Sequence, residues 1–181
     1  MSKKVHFVDA GANIGQSIKW ALKTYDIGRI DSFEPLPKNV SIIQEDADIP
    51  WDIVTLHEKA VWTVNETRVF YSQYWGARTG SSLIEGKTTL DGRMMPIDVE
   101  CIDFAEWIKI NMSTENYNIL KIDIEGAEYS VIPYLIGAGI SDLIDEWLIE
   151  FHGKKVSTYN RSVEKYVKEN LKWTDWGAHP V

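Results

Sequence analysis

Acidic and glycine residues follow two apolar segments near the start of the chain, in an arrangement typical of cofactor sites. The run from Val8 to Gly15 passes from apolar residues through Asp9 into a glycine turn and then into an amphipathic stretch. Glu34 ends the next apolar run. A glycine turn that leads into a helix, with an acid at the tip of the neighbouring strand, commonly holds an adenosine-containing cofactor in α/β proteins.

Two later segments carry polar side chains where a predicted strand ends. The segments Ile119–Ile124 and Trp147–Phe151 alternate apolar and polar residues, as strands with one polar side do. Because the carboxyl ends of parallel strands meet at one edge of a sheet, we expect the polar residues to converge there. A carboxylate or a histidine at that edge is able to accept a proton during catalysis, and His152 is the first choice of general base because the unperturbed pKa of histidine lies near neutrality. Asp123 would then orient His152 or the substrate, and Glu150 would hold either. The candidate catalytic residues are Asp123, Glu125, Glu150 and His152.

The order of predicted elements indicates the fold. Strand and helix patterns alternate over the first 60 residues, with Asn13 predicted as the N-cap of the first helix. This order predicts an α/β, Rossmann-like, doubly wound and mostly parallel sheet. Residues 61–102, approximately, break the pattern with strand-like and glycine-rich stretches, which we interpret as a β-rich edge insertion between the third and fourth core strands. We expect residues 1–181 to form a single domain.

The glycine turn favours one cofactor over another. A nicotinamide fingerprint needs a middle glycine so that the backbone approaches a pyrophosphate, and no glycine stands at that place between Gly11 and Gly15. S-adenosylmethionine has no phosphate and carries a sulfonium cation, which suits Asp9 beside the turn. Glu34 binds ribose hydroxyls under either interpretation. The predicted cofactor-binding residues are Asp9, Gly11, Asn13, Gly15 and Glu34, with Glu58 and Ala60 near the adenine.

Three motifs together resemble the FkbM-type methyltransferases. They are the run Val8 to Gly15, the triplet Phe33-Glu34-Pro35, and, most specifically, the run Lys121 to Glu128. Glu150-Phe151-His152 is similar to the Glu-x-His element of that family, and Ser81-Ser82-Leu83 is a weaker match. The resemblance implies a Rossmann-like enzyme that uses S-adenosylmethionine and methylates a hydroxyl oxygen. It also places Ser81 and Ser82 in one wall of the pocket for the methyl acceptor.

The same residues allow other interpretations. The glycines and Asp9 are compatible with a tight turn that has no ligand, and His152 with a structural role. The strand-tip donors are of the kind that bind a divalent cation, but no diagnostic ligand spacing is present, so a metal site is not favoured. A nicotinamide-dependent oxidoreductase, or a non-catalytic module that binds the cofactor or a partner, are the alternative functions.

The composition and net charge of the chain restrict the partners that we expect the protein to bind. The net charge of −8 over 181 residues gives no global basic field for nucleic acid or an anionic membrane. No apolar run reaches the roughly 20 residues of a membrane span, and Cys101 is the single cysteine. We read no signal peptide and expect a cytoplasmic protein that acts on a saccharide or small metabolite. Self-association into a homo-oligomer stays open.

Overall fold

A computed structural model describes residues 3–73, 81–85 and 94–178 of the chain. Its main sheet has six strands, all parallel to their neighbours. The strands of this sheet are β1 (Val5–Ala10), β2 (Ile27–Phe33), β3 (Val54–His57), β7 (Tyr117–Ile122), β8 (Glu146–Ile149) and β9 (Trp173–Asp175). The spatial order is β3-β2-β1-β7-β8-β9, so the chain runs outward from β1 in one direction and from β7 in the other. The predicted doubly wound, Rossmann-like fold is therefore confirmed.

The insertion forms a second, smaller sheet between β3 and β7. Its strands are β4 (Ala60–Trp62), β5 (Glu66–Gln73) and β6 (Met94–Asp103). Strand β6 lies in the middle, parallel to β4 and antiparallel to β5. The predicted β-rich insertion is confirmed, and most of its glycine-rich stretch lies outside the described residues.

Helices cover both faces of the main sheet. They are α1 (Gln16–Thr24), α2 (Pro37–Gln44), α3 (Phe104–Asn111), α4 (Glu128–Gly137) and α5 (Arg161–Asn170). Phe7 and Ile119 of the sheet pack in a core layer with Ile18 of α1. Val8 and Leu120, which alternate with them, pack in the opposite layer with α3, α4 and α5. The sheet is buried on both sides, as its near-continuous apolar strands require.

Two local predictions were wrong in ways that matter for the site. Asn13 does not cap α1: the helix begins at Gln16 after Gly15, and Asn13 has a left-handed backbone with φ 52°. The two polar strand tips are shorter than predicted, because β7 ends at Ile122 and β8 at Ile149. The acidic residues that follow therefore lie on loops and are not bound to strict alternation of faces.

Candidate functional site

A cavity of about 320 Å³ opens at the carboxyl edge of the main sheet. It lies where β1 and β7 are neighbours and the strand order reverses, which is where open α/β sheets bind ligands. Segments after β1, β2, β7 and β8 line it, together with parts of the insertion and the C-terminal segment. The predicted site residues that line it are Gly11, Asn13, Glu34, Ala60, Ser81, Asp123, Glu125 and Glu150.

The glycine turn after β1 is pressed between two neighbouring strand tips. The amides of Gly11 and Ala12 both donate to the carbonyl of Phe33, at 3.1 and 2.9 Å. Gly11 has φ 93°, and a Cβ added there would lie 1.9 Å from the carbonyl oxygen of Asp123. Only glycine fits, because the backbone angle and the missing space both exclude a side chain.

Glu34 is the acid at the tip of β2, and the structure holds it in place with backbone donors. Its Oε2 accepts from the Asn13 amide and its Oε1 from the Leu36 amide, both at 2.9 Å. Asn39 Nδ2 lies 3.3 Å from Oε1. Burial raises the pKa of Glu34 to about 7, although these hydrogen bonds and the charge of Lys121 act in the opposite direction. The glycine turn and Glu34 are thus joined by a hydrogen bond and both line the cavity.

Three carboxylates face the cavity from the tips of β7 and β8. Asp123 and Glu125 follow β7, and Glu150 follows β8. Burial, and next the negative charge of Asp123, raise the pKa of Glu150 above its ordinary value. Glu125 has φ 58°. Among the described residues, only Asn13 and Glu125 are non-glycine residues with such a left-handed backbone, and both line the cavity. Strained backbone of this kind concentrates at functional sites.

His152 lies behind these carboxylates and does not line the cavity. Its Nε2 is 2.9 Å from Glu125 Oε2, and its Nδ1 is 3.2 Å from Glu128 Oε1. Asp123 and Glu150 are farther, at 3.8 and 3.9 Å from Nε2. Since an ionised carboxylate only accepts hydrogen bonds, Nδ1 is placed to donate to Glu128, while Nε2 faces the carboxylate of Glu125. This arrangement fits a histidine that orients Glu125 better than one that receives a proton from a substrate.

Asp9 is also buried away from the cavity, inside a polar network. Its Oδ2 accepts from the hydroxyl of Ser17 at 2.5 Å, and its Oδ1 lies 3.1 Å from Lys121 Nζ. The expected direct contact between Asp9 and a cationic cofactor has no counterpart in this geometry. Asp9 instead lies beside the Lys121 ammonium, which donates to the carbonyl of Gly11 in the turn.

Three other predicted residues stand outside the cavity lining. Gly15 begins α1 and has φ 84°. Glu58 is exposed and accepts from Gln44 at 3.3 Å. Ser82 is fully buried and donates to the carbonyl of Glu125 at 2.7 Å, so it ties the insertion to the β7 tip.

Several cavity residues carry no signal in the sequence. Trp176 and Gly177 come from the short 3₁₀ helix Trp176–Ala178 after β9 and line the cavity. Asn39, on α2, is buried beside Glu34. Tertiary packing alone brings these residues to the site, and no motif marks them.

One group of side chains offers metal-ligand atoms close together. Oxygen and nitrogen atoms of Asp123, Glu128 and His152 lie within 4.8 Å of one another. Both oxygens of Glu128 already accept backbone amides, from Ile124 and Gly126, at 2.8 Å. The Glu128 carboxylate therefore has a structural role in the loop after β7, and the geometry does not favour a metal ion at this group.

The fold and the cavity define a Rossmann-like α/β protein with a cavity at the carboxyl edge of its parallel sheet. Residues 9–172 match the family described as Methyltransferase FkbM domain, and the chain belongs to that family. No curated protein matches it. A similar solved structure is the crystal structure of the methyltransferase FkbM from Methylobacillus flagellatus KT, with 18% identity and a TM-score of 0.56. The match covers 94% of this chain and 38% of that one, so the chain spans less than half of that protein.

Family membership supports a methyltransferase function and confirms the resemblance seen in the sequence motifs. Within the described residues, no helix is both long and apolar enough to span a membrane.

Proposed function

We propose that the protein is an S-adenosylmethionine-dependent methyltransferase that methylates a hydroxyl oxygen of a saccharide or small metabolite. The observation that carries the proposal is the joining of the glycine turn to Glu34 on the wall of a cavity at the strand-order reversal. The family match supports methyl transfer as the chemistry. A cytoplasmic location and the lack of a nucleic-acid partner remain part of the proposal, the latter supported by the net charge of −8.

The residues at the turn suit the adenosine part of the cofactor. Glu34 offers carboxylate oxygens held by backbone donors, and each oxygen has a further lone pair for a ribose hydroxyl. Asn39 Oδ1 is buried and has no hydrogen-bond partner, so it offers one more acceptor beside Glu34. Ala60, after β3, provides an apolar wall for the base. When bound, S-adenosylmethionine supplies an activated methyl group.

The acidic tips of β7 and β8 suit the acceptor hydroxyl. A hydroxyl must lose its proton as it is methylated, and a positioned carboxylate is able to take it. Glu150 is the best candidate for this step, since its raised pKa makes its ionised form a stronger base. Asp123 and Glu125 orient the acceptor, and His152 holds Glu125 through the 2.9 Å contact.

Transfer of a labelled methyl group tests the proposal. The protein is incubated with methyl-labelled S-adenosylmethionine and a panel of glycosides, amino sugars and small alcohols, and products are separated by mass. We expect methylated product with wild type and none with Glu34→Ala. Glu169→Ala, at an exposed site on α5, serves as the matched control and should keep full activity. Binding of the cofactor with no product from any acceptor of the panel would favour a non-catalytic binding module.

A further inference from the structure

Lys121 is a buried cation that joins the ends of β1 and β7. Its side chain is 2% exposed. The ammonium donates to the carbonyl of Gly11 at 2.6 Å and lies 3.1 Å from Asp9 Oδ1 and 3.7 Å from Asp123 Oδ2. A charge removed from water to this extent is stable only with such partners.

Resting on the function proposed above, we propose that Lys121 is a positioning residue. Its ammonium fastens the Gly11 turn to the tip of β7 and supplies the shared positive charge for the acidic groups that line the cavity. It does not line the cavity itself, so it acts through the residues that do.

The fastening follows from the contacts of the Gly11 peptide groups. The amide of Gly11 donates to Phe33 of β2, and its carbonyl accepts from Lys121 of β7. The amide of Asp123 also donates to the carbonyl of Ala10, at 3.1 Å. The turn is thus held by β2 on one side and by β7 on the other. Of these three hydrogen bonds, the one from Lys121 is made by a side chain.

The shared charge follows from the surroundings of the ammonium. Burial disfavours the charged form, but Asp9 and then Asp123 outweigh it and keep the pKa of Lys121 above its ordinary value. Burial raises the pKa of both Glu34 and Glu150, and in each case the charge of Lys121 acts to lower it. One buried cation therefore favours the ionised form of two carboxyls that line the cavity.

Among the described residues, the neighbours of the cavity leave Lys121 as the cation that the acidic groups share. Lys59, which lines the cavity, pairs with Glu100 at 3.0 Å. Trp176 presents its ring 5.5 Å from the ammonium of Lys121, which adds a cation–π contact on the side toward the C-terminal segment. These contacts stabilise the charged form of the Lys121 ammonium.

Two substitutions in the Lys121–Asp9 ion pair, one that removes the positive charge and one that removes the negative charge, distinguish the proposed role of Lys121 from a purely structural one. Lys121→Met removes the cation and keeps much of the apolar stem, whereas Asp9→Asn keeps the cation and removes a negative partner. The carboxyl pKa of Glu34 is measured by ¹³C NMR titration of the ligand-free protein. We expect it to rise by roughly one unit in Lys121→Met and to stay or fall in Asp9→Asn. A merely structural pair would shift both variants in the same direction.

The double variant Lys121→Met/Asp9→Asn guards against misfolding, because it removes both buried charges together. Lys165→Met, an exposed lysine on α5, is the matched control. In the Lys121 variants we expect faster amide hydrogen exchange from Gly11 to Asn13. We also expect about tenfold weaker binding of S-adenosylhomocysteine at pH 7, with the loss reduced at higher pH. The control should match wild type in all three measurements.

The outcomes distinguish this inference from the proposed function. If wild type fails to bind S-adenosylhomocysteine, the proposed function is wrong, and the Glu34 titration and the amide exchange still decide the role of Lys121. A folded Lys121 variant with unchanged Glu34 pKa and unchanged exchange in the turn overturns the inference. Should neither Lys121 variant fold, a rise in the Glu34 pKa of Asp9→Asn overturns it.

Discussion

Replacing Glu34 by glutamine should change how the stability of the protein depends on pH. Burial raises the pKa of this carboxyl to about 7 in the folded protein, against an ordinary value of 4.5. Between these two values the folded state holds a proton that the unfolded state has lost, so the contribution of Glu34 to stability falls as pH rises from 4.5 to 7. The difference in pKa corresponds to about 3 kcal/mol. Glu34→Gln does not titrate and lacks this loss.

The assay is urea unfolding of wild type and Glu34→Gln at a series of pH values from 4.5 to 8. We plot the difference between the two free energies of unfolding, in which the titration of all other groups cancels. Wild type should lose about 3 kcal/mol relative to Glu34→Gln across this window, with no further change above it. Glu169→Gln, at an exposed site, should follow wild type throughout. Parallel curves for wild type and Glu34→Gln would refute the argument that burial raises the pKa of this carboxyl.

Three further substitutions test separate parts of the structure. Gly11→Ala should abolish binding of S-adenosylhomocysteine in calorimetry and lower the melting temperature, because its Cβ meets the Asp123 carbonyl; wild-type values for both would contradict the tight turn. Asp31→Asn should cost about 3–5 kcal/mol in urea unfolding at pH 7, because it strips a buried carboxylate from His6 and Arg29. Hydrogen bonds with His57, His6 and Arg29 outweigh burial and lower the pKa of Asp31, so the cost should shrink as pH falls below about 4; a cost that is constant with pH would count against the ion cluster. Glu150→Gln should lower methyl-transfer turnover by roughly 10²–10⁴-fold and leave the affinity for S-adenosylhomocysteine unchanged; full turnover would exclude Glu150 as the base.

The sequence was most informative where a local pattern determines a local structure. The glycine turn, the acid at the tip of β2 and the β-rich insertion all follow from residue types and spacing over short distances. The N-cap of α3 is a structure of the same local kind: Asp103 accepts from the amide of Glu106, three residues further along the chain. Such features are marked by residue types within one short stretch of sequence, so a single sequence suffices to predict them.

The positions of the polar side chains needed the tertiary structure. Alternation along a strand predicted that Glu150 and His152 share one side, but β8 ends at Ile149 and the loop sends only Glu150 to the cavity. Asp9 was predicted to meet the cofactor, yet the buried ammonium of Lys121 lies beside it. Trp176 reaches the site because β9 returns the chain end to the sheet, and no motif marks that path. Contacts between distant segments decide all three cases.

Calorimetric titration with S-adenosylhomocysteine tests the central claim most directly, with NAD as the competing ligand and Glu34→Ala as the site variant. The account predicts that wild type binds S-adenosylhomocysteine and does not bind NAD. It also predicts that Glu34→Ala stays folded and binds far more weakly, because hydrogen bonds to a charged carboxylate are worth roughly 1.5–3 kcal/mol each. Tight binding of NAD with no response to S-adenosylhomocysteine, or an unchanged affinity in folded Glu34→Ala, would contradict the account.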